Sequence, residues 1–360
     1  MMKTPMLRLL STVKHFAKKN PNPLKLNYVC DYGRIKCPKT ITQQSLYLYK
    51  ELPIRLAQRA VELENLPYDV SKTQPMQDVY DIYLRSFDEL INHEEPDDID
   101  KSNNFTKTLQ KIKEDGLNIE YHISNALELF REENTNNQTY NKDIEHIDNT
   151  LENFYNSRIG IRFLIGQHVT VQQESINDSY VGMINRKCDP HTVIKDAAHQ
   201  VIEMVDNVYC KELEFDFGFT NKSAEFVYIP SHLFYIVLEV LKNAGKATAE
   251  FNECTKPVKI RTSVSDQDFI IKISDRGGGF SRKLIQKIFS FSYTTSGTKD
   301  KDDRELQLSG YGHGLGLSRI YARYFGGDLV ICPIEGIGTD VYIYLNRFGD
   351  ANENVADIRT

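Results

Sequence analysis

No run of about 20 apolar residues occurs anywhere in the 360-residue sequence, which excludes a helical membrane span. Tryptophan is absent, and the six cysteines, Cys30, Cys37, Cys188, Cys210, Cys254 and Cys332, show no Cys-x-x-Cys and no regular spacing. They read as ordinary thiols of a reducing compartment, not as a disulfide framework or a zinc site. Positive charge is in short supply as well. Forty-four Lys plus Arg against 50 Asp plus Glu leave a net charge of −6, so no nucleic-acid footprint is expected. Hydrophobic residues at 40% and charged ones at 26% exclude a disordered or collagen-like chain, and the length suits two domains.

One local absence stands out. Residues 1–30 contain no Asp or Glu but carry Lys3, Arg8, Lys14, Lys18, Lys19 and Lys25. Between them Leu7, Leu10, Val13 and Phe16 recur at helical spacing. This composition fits a mitochondrial transit segment over residues 1–15, and it equally fits a basic first helix of the mature protein.

Residues 40–172 have helical periodicity. Four long helices are expected, at 44–64, 76–90, 109–130 and 143–172, with a kink at Pro53 and polar connections at 94–104 and 132–142. Four such helices with short links suggest an antiparallel four-helix bundle over residues 16–178. Beyond about residue 179 the texture changes. Asp189-Pro190 opens a helix, and strand-like runs appear at 212–218, 225–229, 257–264, 268–274, 328–332 and 338–345. Thirteen of the 20 glycines fall between 245 and 338, so unusual backbone geometry is concentrated there. The expected fold is multidomain, a helical bundle followed by an α/β sandwich over 179–348, with a short polar tail at 349–360.

Three segments of the second part carry chemistry. In Glu239-Val-Leu-Lys242-Asn243-Ala-Gly-Lys246, residues Glu239, Asn243 and Lys246 share one helical face, a stripe that taken alone also fits a solvated surface. A hydrophobic strand then ends in Asp275-Arg276-Gly277-Gly278-Gly279, where glycines allow the backbone to approach a flat ligand. Gly310-Tyr311-Gly312-His313-Gly314-Leu315-Gly316 opens a further helix and points amide hydrogens at an anion. No Walker-type Gly-Lys-Ser/Thr is present, which excludes P-loop enzymes, and no His-Arg-Asp tripeptide accompanies Asp216-Phe217-Gly218, which excludes ordinary protein kinases.

In order and spacing these segments resemble the N, G1 and G2 boxes of the Bergerat-fold (GHKL) ATPases. The resemblance implies ATP on one face of an α/β sandwich. Asn243 would ligate magnesium and Asp275 would accept the adenine amino group. Gly277 and Gly279 would line the adenine, Thr339 would support it, and Gly310 through Gly316 would cradle the phosphates. Residues 291–309, with Thr294 and Thr295 among the nucleotide contacts, would form a mobile lid. Further segments resemble the mitochondrial 2-oxoacid dehydrogenase kinases: Glu51-Leu-Pro-Ile-Arg-Leu-Ala-Gln-Arg59, Phe154-Tyr-Asn-Ser-Arg-Ile-Gly-Ile-Arg162, Gln167-His168, Tyr228-Ile-Pro-Ser-His232 and Gly336-Ile-Gly-Thr-Asp340. This family implies an ATP-dependent serine kinase of the matrix that phosphorylates and inactivates a decarboxylase subunit. It also implies docking on the lipoyl domain of the acyltransferase core, and a homodimer. Glu239 would activate the serine hydroxyl, with Lys242 and Lys246 neutralising charge; Lys246 stands where the family usually has arginine.

Some residues depart from the family pattern. Tyr235 occupies a slot that is commonly histidine in the pyruvate-directed enzymes and tyrosine in the branched-chain ones. Gly316 replaces a proline, and the Asp-Trp tail of mammalian members is missing. Asn20-Pro-Asn-Pro-Leu24 and the Arg158-to-His168 stretch are closer to the pyruvate-directed enzymes, which are slightly favoured over branched-chain ones. A histidine kinase is a more distant reading, because His168 lacks the surroundings of a phosphoacceptor and fits a bundle histidine held by polar neighbours. A non-kinase ATPase is the remaining alternative.

Overall fold

The computed structural model describes residues 3–35, 37–134, 140–173, 179–220, 224–252, 254–293, 307–308 and 310–355. The chain forms two compact units. One comprises Met1–Leu24, Val29–Met183 and Val355–Thr360, and the other Lys25–Tyr28 and Ile184–Asn354.

Helices build the first unit: α1 (Lys3–Ala17), the part of α2 (Leu26–Gly33) from Val29 on, α3 (Pro38–Glu64), α4 (Tyr68–Ser71), α5 (Gln74–Ile91), α6 (Ile99–Asp115), α7 (Ile119–Asn134) and α8 (Tyr140–Gln173). The basic opening segment is α1. Val13 is buried there, the Phe16 ring meets Phe87 edge-on at 5.5 Å, and Gln58 Nε2 donates to Lys19 O at 2.7 Å. Helix α3 runs through Pro53, which lies inside it.

Two expectations for this unit are corrected. The apolar repeat from Leu109 to Phe130 is divided between α6 and α7, because Gly116 caps α6 and its carbonyl accepts Arg158 Nη2 at 2.7 Å. Residues 99–104, expected in a connection, belong to α6, which starts where the Asp98 side chain accepts Lys101 N at 2.8 Å.

Buried polar groups tie the helices together. Glu51 and Arg55 form an ion pair at 2.9 Å with each side chain only 2% exposed. Their remaining capacity goes to Asn22, whose N and Nδ2 donate to Glu51 and whose carbonyl accepts Arg55 Nη2. Arg59 Nη1 donates to Asn153 O at 2.7 Å. Most of the Glu51-to-Arg59 motif is therefore a structural network, with Glu51 and Arg55 bonded as buried charges must be and Arg59 Nε buried without a partner. His168 on α8 is buried too, with Nε2 3.0 Å from the Thr106 hydroxyl and 2.8 Å from Gln172 Nε2.

In the second unit, β2 (Ile184–Cys188) pairs antiparallel with β4 (Phe226–Tyr228). This β2 strand, together with β1 (Tyr180–Val181) of the first unit, was not foreseen from sequence. The main sheet has five strands in the order β3-β5-β6-β8-β7, namely β3 (Phe215–Gly218), β5 (Val258–Val264), β6 (Asp268–Ser274), β7 (Asp328–Ile334) and β8 (Gly338–Asn346). Only β3 and β5 are parallel. In register, Ile271 faces Ile343 and Ile273 faces Val341, and these buried alternate residues form one wall of the core. Helices α9 (Pro190–Tyr209), α10 (Pro230–Asn252) and α11 (Gly314–Tyr324) supply the other wall. Leu233, Ile236, Val237, Val240 and Leu241 bury the inner face of α10, the helix that packs on α9, on α11 and on the sheet. No helix among the described residues is long and apolar enough to cross a membrane.

Burial without a charged partner pushes His168 down to about 4. The unfolded chain, with an ordinary histidine, takes up a proton near pH 6.5 that the folded chain refuses until about 4. Stability from this group is thus complete above pH 6.5 and lost as pH falls toward 4, on the order of 3 kcal/mol in total. Urea unfolding at pH 6.5, 5.5 and 4.5 should show a shallower acid loss for His168→Gln than for the wild type. Parallel curves would contradict the assignment.

Candidate functional site

The site is assembled where α10 passes the loop after β6 and the amino terminus of α11. Glu239, Asn243 and Ala247 recur every four residues along α10, so they share a stripe about 12 Å long. Glu239 pairs with Lys242 at 2.9 Å, with side chains 13% and 7% exposed respectively. Asn243 is exposed, and its Nδ2 donates to Glu239 O at 2.8 Å, which leaves Oδ1 as the outward-facing acceptor. Lys246 lies 4.0 Å from Glu250, whose carboxylate also accepts the Tyr209 hydroxyl at 2.7 Å.

Asp275 follows the last residue of β6 and is 5% exposed. Its Oδ1 accepts Gly277 N at 2.9 Å and Thr339 N at 3.1 Å, while its own N donates to Thr339 O at 3.0 Å. Burial raises its carboxyl above the usual range, and the two amide bonds oppose that rise. With Oδ1 engaged twice, Oδ2 is the atom left to accept from a ligand amino group. Thr339 holds the carboxylate in place through its main chain.

Glycine is required around this carboxylate by close packing. A Cβ on Gly277 would stand 2.6 Å from the Ala247 carbonyl carbon, and one on Gly279 would meet the carbonyl oxygens of Ile334 and Gly338. Gly278 and Gly279 also have φ values of +80° and +59°. Gly338 is a necessary residue that sequence reasoning did not single out, since a Cβ there would strike the Asp275 carbonyl oxygen. The turn Gly336-Ile-Gly338 was the available signal.

The glycine-rich segment behaves unevenly. Gly310 and Gly312 have φ of +61° and +85°, and Gly310 lies beside Lys242 Nζ. Tyr311 is 40% exposed. His313 is buried at the N-cap of α11, edge-on to Phe291 at 5.6 Å. Gly314 opens the helix against the Glu239 carboxylate, and Leu315 is half-buried. Gly316 is buried against the Phe289 carbonyl and the Phe291 ring, so it has a packing reason of its own. Tyr235, one turn before Glu239, packs at 4.9 Å on Tyr321 of α11. Thr294, Thr295 and most of the lid expected at 291–309 lie outside the described residues.

The arrangement places a buried acceptor at one end of the stripe. At the other it sets a carboxylate, an ammonium and an amide oxygen beside the positive end of a helix. Among the described residues no group of three or more His, Cys, Asp or Glu could hold a metal. Asn243 Oδ1 is a hard oxygen ligand of the kind magnesium takes singly when phosphates complete its shell, so the donor set fits that ion.

Comparisons with known proteins agree with this geometry. Residues 23–185 match the family described as mitochondrial branched-chain alpha-ketoacid dehydrogenase kinase, and residues 228–348 match the histidine kinase-, DNA gyrase B- and HSP90-like ATPases. The chain is 33% identical over 347 residues to human [pyruvate dehydrogenase (acetyl-transferring)] kinase isozyme 4, covering 92% of this chain and 83% of that one. It is 33% identical over 342 residues to the mitochondrial Arabidopsis thaliana [pyruvate dehydrogenase (acetyl-transferring)] kinase, covering 92% of each. The Mus musculus isozyme 1 is 30% identical over 348 residues, covering 92% and 79%.

Asp275→Asn retains an oxygen for Gly277 N and Thr339 N, but it then turns an amide donor toward the ligand's own donor. Calorimetric titration should show ATP affinity falling at least tenfold with the melting temperature nearly unchanged. Wild-type affinity in this variant would remove Asp275 from base recognition.

Proposed function

The chain belongs to the mitochondrial 2-oxoacid dehydrogenase kinase family, and from that premise we propose that it phosphorylates a serine of the pyruvate dehydrogenase decarboxylase subunit at the expense of ATP, inactivating the complex. The observation that carries this reading is the juxtaposition of Glu239, Lys242 and Asn243 with the amino terminus of α11, all within one GHKL-type α/β unit. Phosphoryl transfer needs positioning and charge stabilisation more than covalent chemistry, and these residues supply both.

Asp275 orients the base through Oδ2. The backbone of Gly310–Gly312 and the amino-terminal dipole of α11 receive the phosphates. Glu239 accepts the proton of the serine hydroxyl, a role for which it must be close to the phosphates yet outside their shell. Lys242, paired with Glu239 in the free site, is placed to neutralise charge on the transferred group, and Lys246 contributes from the next turn. Magnesium would be held by Asn243 Oδ1 and would supply charge neutralisation across the phosphates.

The relatives named as pyruvate dehydrogenase kinases, among them isozymes 4 and 1, favour pyruvate dehydrogenase over the branched-chain complex as target. They are also named as mitochondrial, which supports the matrix as the working compartment. The helical unit is read as the docking and regulatory domain over 16–178, toward the lipoyl domain of the acyltransferase core. In it α3, α5, α6 with α7, and α8 would serve as the four members of a bundle whose third helix is broken at Gly116. The unit over 179–348 is the kinase domain, and the working form is a homodimer. Buried His168, with uncharged partners and a lowered proton affinity, supports a packing role over phosphoacceptor chemistry.

Incubation with labelled ATP and purified pyruvate and branched-chain complexes should place acid-stable label on a serine of the pyruvate decarboxylase subunit. Glu239→Gln should bind ATP within threefold of wild type while transfer falls about 10²- to 10⁴-fold. Acid-labile label on the chain itself, or phosphate release without labelled substrate, would overturn the reading.

A further inference from the structure

We infer that Gly314 is a positioning residue for the reaction, reserving the space in which the Glu239 carboxylate is held against the first turn of α11; this rests on the kinase reading above. A Cβ built on Gly314 would overlap Glu239 Oε2 and stand 3.0 Å from its Cδ and 3.4 Å from its Cγ. The same carboxylate is gripped from the other side by Lys242 Nζ at 2.9 Å. Glu239 thus reaches from α10 to α11 between an ammonium and a bare α-carbon.

The kind of obstacle separates Gly314 from the other close-packed glycines of the site. At Gly277 a Cβ meets the Ala247 main chain, at Gly279 the carbonyls of Ile334 and Gly338, and at Gly338 the carbonyl of Asp275. Those contacts include main-chain atoms that cannot swing aside, joined at Gly277 by the Ala247 Cβ, so a side chain there disturbs the fold. At Gly314 the obstructing atoms all belong to the far end of one flexible side chain. An alanine is accommodated by turning the Glu239 carboxylate away, at the cost of a rotamer change and not of the helix. Gly314 lies at the first position of α11, and its φ is not among the positive values, so alanine meets no backbone strain there.

A glycine in this loop has two separable uses. It can let phosphates approach the amides, in which case alanine weakens nucleotide binding. It can instead make room for the catalytic carboxylate, in which case alanine leaves binding and slows transfer. The Glu239 contact assigns Gly314 to the second use, and Gly310, whose Cβ would have Lys242 Nζ no nearer than 3.7 Å, leaves that carboxylate undisturbed.

The test is a double-mutant cycle with Gly314→Ala and Glu239→Asp, whose side chain is one methylene shorter. Single-turnover phosphorylation of the pyruvate decarboxylase subunit and calorimetric ATP affinity are read for each variant. Gly314→Ala should slow transfer about 100-fold with ATP affinity within threefold of wild type. The double variant should be no slower than Glu239→Asp alone, because the shortened carboxylate no longer meets the new methyl group. Multiplicative losses, or an ATP affinity that falls in step with the rate, would overturn the assignment. A wild-type protein that binds ATP but labels neither complex would count against the kinase reading itself.

Discussion

The approach of α10 to the loop after β6 is the constraint on which the α/β unit depends. Ala247 and Gly277 are the contact pair, and Gly277 has no room for a side chain, since one methyl group on it would lie 2.6 Å from the Ala247 carbonyl carbon. Because the two segments touch, Asp275 is buried yet able to bond Gly277 N and Thr339 N, and so is held rigidly at the end of its strand. Four residues earlier on the same helix Asn243 faces outward, and eight earlier Glu239 reaches α11. A single helix therefore sets the spacing between Asp275 and the residues proposed to ligate the metal and accept the proton.

Charge is handled differently in the two units. In the helical unit the Glu51–Arg55 pair is closed by bonds to Asn22, whereas the neighbouring Arg59–Glu62 pair keeps Arg59 Nε and Glu62 Oε2 buried without a hydrogen-bond partner. A pair closed as Glu51 and Arg55 are organises a fold and does little chemistry. Near α11 the Glu239 carboxylate is divided between Lys242 and the first turn of the helix, an arrangement that is open to rearrangement. A polyphosphate at the helix terminus would give Lys242 a second partner besides Glu239.

Much of this was legible in the residues. The alternation of Phe269, Ile271 and Ile273 gave β6, and the carboxylate-glycine sequence after it gave the acceptor. The stripe of Glu239, Asn243 and Lys246 followed from their i, i+4 and i+7 spacing, whereas the place of Ala247 on it went unnoticed. Other features depended on tertiary contacts that no local pattern encodes. The break at Gly116 was hidden because the apolar repeat continues in phase on both sides, and what distinguishes the site is an arginine 42 residues away bonding the Gly116 carbonyl. The roles of Gly314 and Gly316 looked alike in the motif, but one meets a carboxylate and the other an aromatic ring and a carbonyl. Gly338 was read only as the start of a strand, and its need for a bare α-carbon came from Asp275 at the end of the neighbouring strand. Resemblance to the kinase family read the Glu51-to-Arg59 motif as an identity tag, whereas its buried bonds make it a brace.

The contact between α10 and the glycine turn is tested most directly by calorimetric titration of Gly277→Ala with ATP, alongside Gly336→Ala as a control. Gly336 has a φ of +77° but nothing within 4 Å of an added Cβ, so it reports backbone strain without a clash. The expected result is loss of ATP affinity by more than tenfold in Gly277→Ala and near-wild-type affinity in Gly336→Ala. Equal, undiminished binding in both variants would contradict the close approach of α10 as the basis of the site.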